Sequence, residues 1–349
     1  MVSKSDFLKV SLVQGSQRYD NIKRALDLIK CDLGKIRGKK RILIKPNLTA
    51  TKNALANTDV QAVEAIIDFL LENFPELHKS EITLLEGSGS AYYEKTTTKD
   101  VFRNFGYQEL IKKYKNVRIE CIEDFSDYLD VSIRSIAGPE KIRIVKRFFD
   151  FDYRISLAIP KTHNYAIATF GIKNMAGLIK QEDKSLVHGL RTPSAPKAKT
   201  VFTYLPTSAI SWMRRRAPGL VNFLFKKSMA YLQAIKVIHH NVVEFARITW
   251  PDLVVLDGFQ CMDGNGPVDG FARNLNAAVC SVDPLKADGV AARLMGLEPQ
   301  AIGYLYYLEQ LGLGSYSYDG LVGDAIEQVK VKFTMHPTYD IQKHWREKF

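Results

Sequence analysis

The sequence predicts an α/β protein built on a mostly parallel β-sheet with helices on both faces. Short apolar runs recur along the chain, each ending in a polar residue or a glycine, and helical patterns separate several of them. This alternation is typical of βαβ units, whose crossover helices cover both faces of a parallel sheet. The expected architecture is therefore Rossmann-like. The predicted strands lie at residues 9–15, 41–47, 82–90, 117–124, 153–163 and 252–258.

Two helices are predicted between the early strands. Apolar residues recur at helical spacing over 58–74, and Thr58 and Gln61 form a candidate capping box at the start of this segment. A second helical pattern covers 98–114 and contains an internal glycine. Each segment has the length that a crossover between two parallel strands requires.

Further helices are predicted in the C-terminal third of the chain. Asp283 followed by Pro284 is typical of an N-cap and a first helical residue, so a helix is expected over 282–299 that ends at Gly296. We interpret Asp283 as this cap rather than as a catalytic residue. Two shorter helical patterns follow, at 301–313 and 321–328.

One folded unit over residues 1–349 is expected, with a division into two lobes left open. A chain of 349 residues that is 46% hydrophobic can bury a full core. Residues 190–240 differ from the rest, because a loop rich in proline and small residues precedes a basic, aromatic stretch that breaks near Pro218. We interpret this segment as an insertion that forms either a lid or an interfacial pair of helices.

The protein is expected in the cytoplasm, with association to a membrane surface left open. No apolar stretch reaches the roughly 18–20 residues that span a bilayer, and the N-terminus does not look like a signal peptide. The four cysteines are far apart and no CxxC occurs, which argues against an iron–sulfur cluster and a structural zinc site. Scattered thiols of this kind indicate a reducing compartment.

The formal net charge of +11 favours an anionic partner. A small phosphate or carboxylate, an anionic membrane face and a nucleic acid all qualify by charge. Nucleic acid is the least favoured of the three, since no recognised binding module is present. The alternative is that many of the lysines only solvate helix faces. The oligomeric state stays open.

Polar residues follow the predicted strands where those strands end. In an open parallel sheet these ends line one edge, and ligands bind in the crevice there. Lys45 and Asn47 end one strand, while Lys161 and His163 end another and project to the same side of an extended chain. A lysine is a fixed cation and a histidine exchanges protons near neutral pH. We therefore expect Lys161 and His163 to be catalytic, and Lys45 and Asn47 to bind an anionic substrate.

Two glycine-containing stretches are further candidates for substrate binding. "GIKNMAG" places Lys173 and Asn174 just before Gly177, and glycine lets a backbone approach a ligand closely. Gly87 and Ser88 lie in "EGSGS", a loop type that can hold a phosphate, although it lacks the P-loop pattern. The alternatives are tight helix packing for the first stretch and an ordinary flexible loop for the second.

Acidic residues and one further histidine complete the candidate set. Asp257 ends a strand, and Asp263 follows it in "DGFQCMDGNGPVDG", which is not an EF-hand. We expect Asp257 either to orient His163 or, with Asp263, to hold a divalent metal, while a plain series of Asp/Gly turns is the alternative. His188 is a secondary candidate for substrate binding.

Five motifs occur together in the order, and at about the spacing, of one known family. On these motifs residues 7–325 resemble the family called domain of unknown function 362. The resemblance implies a Rossmann-like α/β architecture and a shared pocket, but it supplies no reaction. The motifs are "KPN" (45–47), "PKTH" (160–163), "GIKNMAG" (171–177), "DGFQCMDGNGPVDG" (257–270) and "DPLKADGVAARLMG" (283–296).

The chain departs from that family's usual pattern. The run that ends at His163 is shorter than the usual proline-lysine-x-lysine-x-histidine stretch, and residues 190–240 look longer and more basic. Many members carry a ferredoxin-like cysteine module that is absent here, so their redox association is not transferred. A more distant similarity, in the K-N-x-x-G region and the strand-end histidine, is to the nickel-pincer lactate racemases.

Three functions follow as hypotheses. The first is an enzyme that acts on a small or lipid-like anionic substrate, by acid–base or metal-assisted chemistry at the carboxyl edge of the sheet. The second is a membrane-surface or partner-binding protein that acts through basic helices at 212–238. The third is a cofactor enzyme similar to the nickel-pincer racemases.

Overall fold

A computed structural model describes residues 8–190, 212–213, 216–226 and 228–347 of the chain. The predicted insertion at 190–240 lies partly outside the described residues, since 191–211, 214, 215 and 227 are not among them. None of the described helices combines the length and the apolar character that a membrane span requires.

The strands and helices of the described residues are named here in chain order. The strands are β1 (Val10–Gln14), β2 (Arg41–Lys45), β3 (Glu81–Glu86), β4 (Val117–Cys121), β5 (Tyr128–Ser135), β6 (Gly138–Val145), β7 (Tyr153–Ala158), β8 (Lys161–His163), β9 (Ile167–Thr169), β10 (Leu253–Gly258), β11 (Cys261–Asp263), β12 (Phe271–Arg273), β13 (Ala277–Ser281) and β14 (Leu321–Gly323). The helices are α1 (Arg18–Leu28), α2 (Val60–Asn73), α3 (Gly89–Glu94), α4 (Thr98–Asn104), α5 (Gln108–Lys113), α6 (Gly171–Asn174), α7 (Pro218–Lys226), α8 (Met229–Ala246), α9 (Pro284–Leu294), α10 (Gly303–Gln310), α11 (Ile326–Val329) and α12 (Tyr339–Gln342).

The large sheet has the strand order β14-β1-β13-β10-β7-β2-β3-β4. Strand β13 runs antiparallel to both of its neighbours, and every other adjacent pair in this sheet is parallel. The prediction of a mostly parallel α/β sheet is therefore confirmed. Strand β13 was not predicted, because its short apolar run carries no period that distinguishes it from a helix start.

Helices cover both faces of the large sheet, as predicted. Within β2, Leu43 belongs to one hydrophobic cluster, while its neighbours Ile42 and Ile44 belong to the other. Successive strand residues point to opposite faces, so these clusters are the two sides of the sheet. Residues of α1 and α2 complete one cluster, and residues of α8, α9 and α10 complete the other.

The structure corrects the details of two predicted helices. The N-cap of α2 is Asp59 rather than Thr58, since the Asp59 side chain accepts a hydrogen bond from Gln61 N at 2.9 Å. The predicted helix at 98–114 is two helices, α4 and α5, and the backbone between them turns at Gly106 with a φ of 79°. A positive φ is available to glycine at low cost and ends the first helix there.

The later predictions had a mixed outcome. The Asp283 side chain accepts hydrogen bonds from Leu285 N at 3.0 Å and Lys286 N at 3.4 Å, which confirms it as the N-cap of α9. The predicted helix at 321–328 is wrong for its first half, because 321–323 form the edge strand β14 and only Ile326–Val329 are helical. Pairing with β1 decides the conformation of this short segment.

A second, smaller sheet lies beyond the carboxyl edge of the first. The predicted strand 153–163 is two strands, β7 and β8, separated at Pro160, which has no N–H to continue the ladder. Strand β8 joins the sheet β12-β11-β8-β9, in which Lys161 is opposite Met262 of β11. Since β11 follows β10 closely in the chain, this sheet carries Lys161 and His163 above the ends of β7 and β10.

Candidate functional site

A cavity of about 1210 Å³ opens between the carboxyl edge of the large sheet and the small sheet. Its wall brings together most of the residues that the sequence predicted for the site. These are Asn47, Gly87, Lys161, His163, Lys173, Asn174, Gly177 and His188. The remaining predicted residues, Lys45, Ser88, Asp257 and Asp263, do not line it.

The floor of the site is a buried ion pair. Lys45 at the end of β2 and Glu86 at the end of β3 are 0% and 2% exposed, and Lys45 Nζ lies 2.6 Å from Glu86 Oε2. Burial lowers the pKa of Lys45, and the Glu86 carboxylate opposes this shift. The other carboxylate interactions are satisfied too, since Glu86 accepts from Leu48 N at 3.2 Å and Gly87 N at 2.7 Å. Such full pairing is what a buried charge requires.

The Asn174 amide joins three parts of the fold at this floor. Its Nδ2 donates to Lys45 O at 3.0 Å and to Ser156 Oγ at 3.0 Å. Its Oδ1 accepts from Asn47 Nδ2 at 2.8 Å and from Lys45 Nζ at 3.3 Å. The amide therefore ties α6 to β2 and β7, and its orientation is fixed by these partners.

Lys161 is fully engaged by acceptors of its own protein. Its Nζ donates to Asn47 Oδ1 at 2.6 Å, Ala56 O at 2.9 Å and Thr49 Oγ1 at 3.1 Å. An ammonium has three donors, so none is left for a ligand. Burial lowers the pKa of Lys161 to about 7, and the positive charge of Lys173 adds to this shift. Lys161 thus contributes positive charge to the cavity and holds the Asn47 amide in place.

Four further lysines line the cavity, of which Lys173 and Lys184 are partly buried and Lys52 and Lys95 are exposed. Lys184 Nζ donates to Gly177 O at 3.1 Å and to Gly87 O. Lys173 is partly buried and has no hydrogen bond or ion pair with any residue that the structure describes. Burial lowers the pKa of Lys173 and of Lys184 to about 8. Lys173 is therefore a partly buried cation without a compensating partner in the part of the chain that the structure describes.

His163 is held as a neutral imidazole. Its Nδ1 accepts hydrogen bonds from Tyr165 N at 3.0 Å and Ala166 N at 3.1 Å, which places the proton of the neutral ring on Nε2. Burial lowers the pKa of His163 well below its usual value, and the charge of Lys173 acts in the same direction. The ring stacks on His188 with centroids 5.8 Å apart. His163 thus offers a hydrogen-bond donor at Nε2 rather than a free base.

Glycine is required at two predicted positions because the backbone is crowded. A Cβ at Gly177 would collide with Glu86 Oε1 and Lys45 Nζ, and a Cβ at Gly87 would collide with Ile122. Ser88 has a structural role, since its hydroxyl donates to Thr49 O at 3.3 Å and caps α3. The predicted anion loop therefore contributes close backbone contact to the cavity and not the Ser88 hydroxyl.

The two predicted metal carboxylates are held by different arginines. Asp257 Oδ2 accepts from Arg18 Nε at 2.9 Å, and Asp263 Oδ2 lies 2.8 Å from Arg273 Nη2. Burial raises the pKa of Asp257 to about 6, and the Arg18 charge opposes the shift. Among the described residues no group of three or more His, Cys, Asp or Glu side chains is arranged to hold a metal ion. The donors that converge on the cavity suit an anion better than a divalent cation.

Asp288, which sequence reasoning missed, positions the helix that bears Lys173 and Asn174. Its carboxylate accepts from Gly171 N at 2.9 Å and Ile172 N at 3.0 Å, the free N–H groups at the start of α6. Burial raises the pKa of Asp288 to about 8, and these two N–H donors oppose the shift. The available signal was a carboxylate on the apolar face of the helix predicted at 282–299.

The C-terminal segment forms another wall that the sequence did not reveal. His336 and Thr338 line the cavity, and Thr338 Oγ1 lies 2.6 Å from Tyr231 OH of α8. Gln342 Oε1 accepts from Ile167 N at 2.8 Å, where Ile167 has a φ of 68°. This left-handed conformation is costly for a β-branched residue and is maintained by the surrounding contacts. The segment follows the last family motif by about 40 residues, so no motif pointed to it.

Replacing Glu86 with alanine should destabilise the protein strongly. The change leaves the Lys45 ammonium buried without its partner, which costs about 3–5 kcal/mol of unfolding free energy. Urea unfolding followed by circular dichroism measures the loss. The matched control is Glu109→Ala, which removes an exposed carboxylate 2.6 Å from Lys112 Nζ and should cost about 1 kcal/mol or less.

A double variant separates charge from packing. Lys45→Met with Glu86→Leu leaves no unpaired charge at the floor, so it should recover part of the stability that Glu86→Ala loses. Equal losses for Glu86→Ala and Glu109→Ala would contradict the importance assigned to the buried pair.

Comparison with known proteins adds a family and two similar proteins. The family model for domain of unknown function (DUF362) matches residues 42–293. Thylakoid-associated protein sll1697 of Synechocystis sp. (strain ATCC 27184 / PCC 6803 / Kazusa) is 26% identical over 172 residues, which are 49% of this chain and 41% of that protein. The match thus spans less than half the length of that relative. The lactate racemase apoprotein from Thermoanaerobacterium thermosaccharolyticum has a TM-score of 0.48 at 12% identity, covering 85% of this chain and 59% of that chain.

Proposed function

The chain belongs to the domain of unknown function 362 family, and from that premise we propose that its cavity binds a small anionic molecule and acts on it by acid–base chemistry. One observation carries the proposal. Lys173 and His163 both line the cavity, and neither Lys173 Nζ nor His163 Nε2 has a hydrogen-bond partner among the described residues. Each can donate a hydrogen bond, so the missing partner is an acceptor.

The charge balance of the cavity supports an anion as this acceptor. Five lysines line the cavity, Lys161, Lys173 and Lys184 among them, against the carboxylates of Glu86, Glu94 and Asp269, and Glu86 is already paired with Lys45. Burial disfavours the charged form of these lysines, and a bound anion would stabilise that form. Anion binding and protonation of the lysines are therefore coupled, and each favours the other.

The roles of the predicted residues follow from their contacts. Lys173 binds the anion directly, and Lys161 contributes charge while it holds Asn47. His163 donates a hydrogen bond from Nε2 to a substrate oxygen and polarises it, while Lys173, with its pKa of about 8, can give or take a proton there. Asp257 has no direct role in this proposal, because it is held by Arg18 away from the cavity wall.

Sulfate binding should weaken as the pH rises from 6 to 9. Lys161 and Lys173 are charged below their pKa values of about 7 and 8 and lose that charge above them. Sulfate keeps the same charge over this range, so its affinity should fall about tenfold or more as the lysines deprotonate. Isothermal titration calorimetry measures the affinity, and proton uptake should accompany binding at pH 8.

Variants locate the sulfate site. Lys173→Met should abolish measurable binding at neutral pH, whereas Lys112→Met, which changes an exposed lysine 2.6 Å from Glu109, should bind like the wild type. Unchanged affinity in Lys173→Met would overturn the proposed site. An affinity that is the same at pH 6 and pH 9 would do so as well.

A second function, attachment to an anionic membrane surface, is favoured by the exposed apolar side chains of residues 212–229. Trp212, Leu220 and Met229 are 63%, 55% and 60% exposed. Three consecutive arginines follow Trp212 in the sequence after Met213, and two lysines precede Ser228. Exposed apolar groups among basic residues are typical of interfacial helices. One relative is named as thylakoid-associated, which agrees with this proposal.

Vesicle co-sedimentation at low salt tests the second function. The wild type should sediment with phosphatidylserine vesicles and stay in solution with phosphatidylcholine vesicles. Leu220→Ser with Met229→Ser should reduce sedimentation several-fold, since each change removes apolar area from the contact. The control, Leu311→Ser with Phe271→Ser, changes side chains that are 54% and 72% exposed elsewhere. Equal sedimentation of both double variants would contradict a role for this segment.

A further inference from the structure

We propose that Lys173 is an amine nucleophile that forms an imine with small oxo acids, molecules that carry a carboxylate next to an aldehyde or ketone carbonyl. This inference rests on the proposed anion site and names its substrate class. It starts from the difference between Lys173 and the other lysines at the site.

The other three lysines at the site are occupied by partners of the protein itself. Lys45 pairs with Glu86, and Lys184 donates to two backbone carbonyl oxygens. Lys161 donates its three hydrogen bonds to Asn47, Thr49 and Ala56. Lys173 alone among these four has no hydrogen bond or ion pair with a described residue, and it lines the cavity. Its nitrogen is therefore the one free to approach a bound molecule.

The surroundings also keep part of Lys173 in the reactive form. Only the neutral amine has a lone pair that can attack a carbonyl carbon. With a pKa of about 8, about one-tenth of Lys173 is neutral at pH 7, whereas an ordinary lysine is neutral in less than about one molecule in a thousand. A lysine desolvated in this way is a recognised type of activated nucleophile.

The position of Lys173 is fixed by its helix. The residue lies in the short α6, whose first two N–H groups are bound by Asp288. The next residue, Asn174, is anchored to β2 and β7. An amine on so constrained a backbone returns to the same part of the cavity in each encounter, which favours an ordered attack.

The reaction is a condensation without change in oxidation state. The Lys173 nitrogen forms a bond to the carbonyl carbon, the carbon–oxygen π bond breaks, and the oxygen takes one of the two protons of the amine to give a carbinolamine. The nitrogen then gives its second proton to the hydroxyl group and forms a second bond to that carbon, and the oxygen leaves as water. His163 Nε2–H is a donor available to this oxygen. The products are an imine on Lys173 and one water molecule.

The cationic wall selects carbonyl compounds that also carry a negative group. Lys161 and Lys184 contribute positive charge to the same cavity as Lys173. A carboxylate beside the carbonyl is held by this charge while the carbonyl carbon faces the amine. Neutral aldehydes lack that attraction and should react more slowly. The substrate class is therefore the oxo acids rather than carbonyl compounds in general.

Reductive trapping tests the inference. The wild-type chain is incubated with pyruvate and sodium cyanoborohydride at pH 7, digested and mapped by mass spectrometry. The expected result is one reduced pyruvyl group per chain on Lys173, with little modification elsewhere. Propionate, which lacks the ketone, should give no adduct and should slow the labelling by competing for the anion site. Lys112→Arg, a surface change outside the cavity, should give the same adduct at the same yield.

Lys173→Arg separates the inference from the proposed function. Arginine keeps the positive charge but has no nucleophilic amine, so this variant should still bind pyruvate and sulfate in calorimetry while giving no adduct. If the wild type binds both anions yet labels Lys173 no faster than exposed lysines, the imine is overturned and the anion site stands. If neither protein binds either anion, the proposed function fails and the imine fails with it.

Discussion

The charges of Lys45 and Glu86 have to satisfy each other, because both side chains are almost completely removed from water. The pair closes the ends of two neighbouring parallel strands, and the groups around it are arranged to complete its hydrogen bonds. Leu48 N and Gly87 N point at the carboxylate, and the Asn174 amide accepts from the ammonium. Gly177 has no side chain because one would occupy the space of the pair. The loops that form the cavity floor are therefore arranged around one ion pair, whose hydrogen bonds they complete.

This pairing also sets the electrostatics of the cavity above it. Glu86 is the buried carboxylate in the wall, and the ammonium group of Lys45 neutralises its charge. Among the other charged groups of the wall, Lys161 is buried, Lys173 and Lys184 are partly buried, and Lys173 has no partner among the described residues. Five lysines line the cavity, against the carboxylates of Glu94 and Asp269 besides Glu86. The carboxylate of Asp288 accepts hydrogen bonds from two backbone N–H groups at the N-terminus of α6, and it does not neutralise a lysine. The site is consequently electropositive although the floor beneath it is neutral.

The sequence predicted the sheet class and most of the wall, since strand ends are visible as apolar runs that stop at polar residues. Parallel strands place these ends together, which is why Asn47, Lys161 and His163 could be associated without knowledge of the fold. The same reasoning failed for Asp257, because a strand end specifies an edge and not the direction of a side chain. The sequence also could not distinguish Lys45, whose ammonium group is paired with a buried carboxylate, from Lys173, which has no ion pair with a described residue.

Other parts of the site were inaccessible to sequence reasoning for a physical reason. Asp288 acts through two backbone N–H groups more than 100 residues away, at sequence separations of 117 and 116, and no local pattern encodes such a contact. The tautomer of His163 depends on the turn that follows it, whose Tyr165 and Ala166 N–H groups donate to Nδ1, and Gln342 Oε1 accepts from Ile167 N beside this turn. Tertiary contacts of this kind decide the chemistry of a residue after its type and spacing have indicated that it belongs to the site.

The location of a bound anion tests the central claim most directly. Crystals of the protein are soaked in selenate at neutral pH, and the anomalous scattering of selenium is mapped. The account predicts a selenium peak inside the cavity, with a selenate oxygen within hydrogen-bond distance of Lys173 Nζ. Selenate bound only at the outer surface, with the cavity holding none, would contradict it.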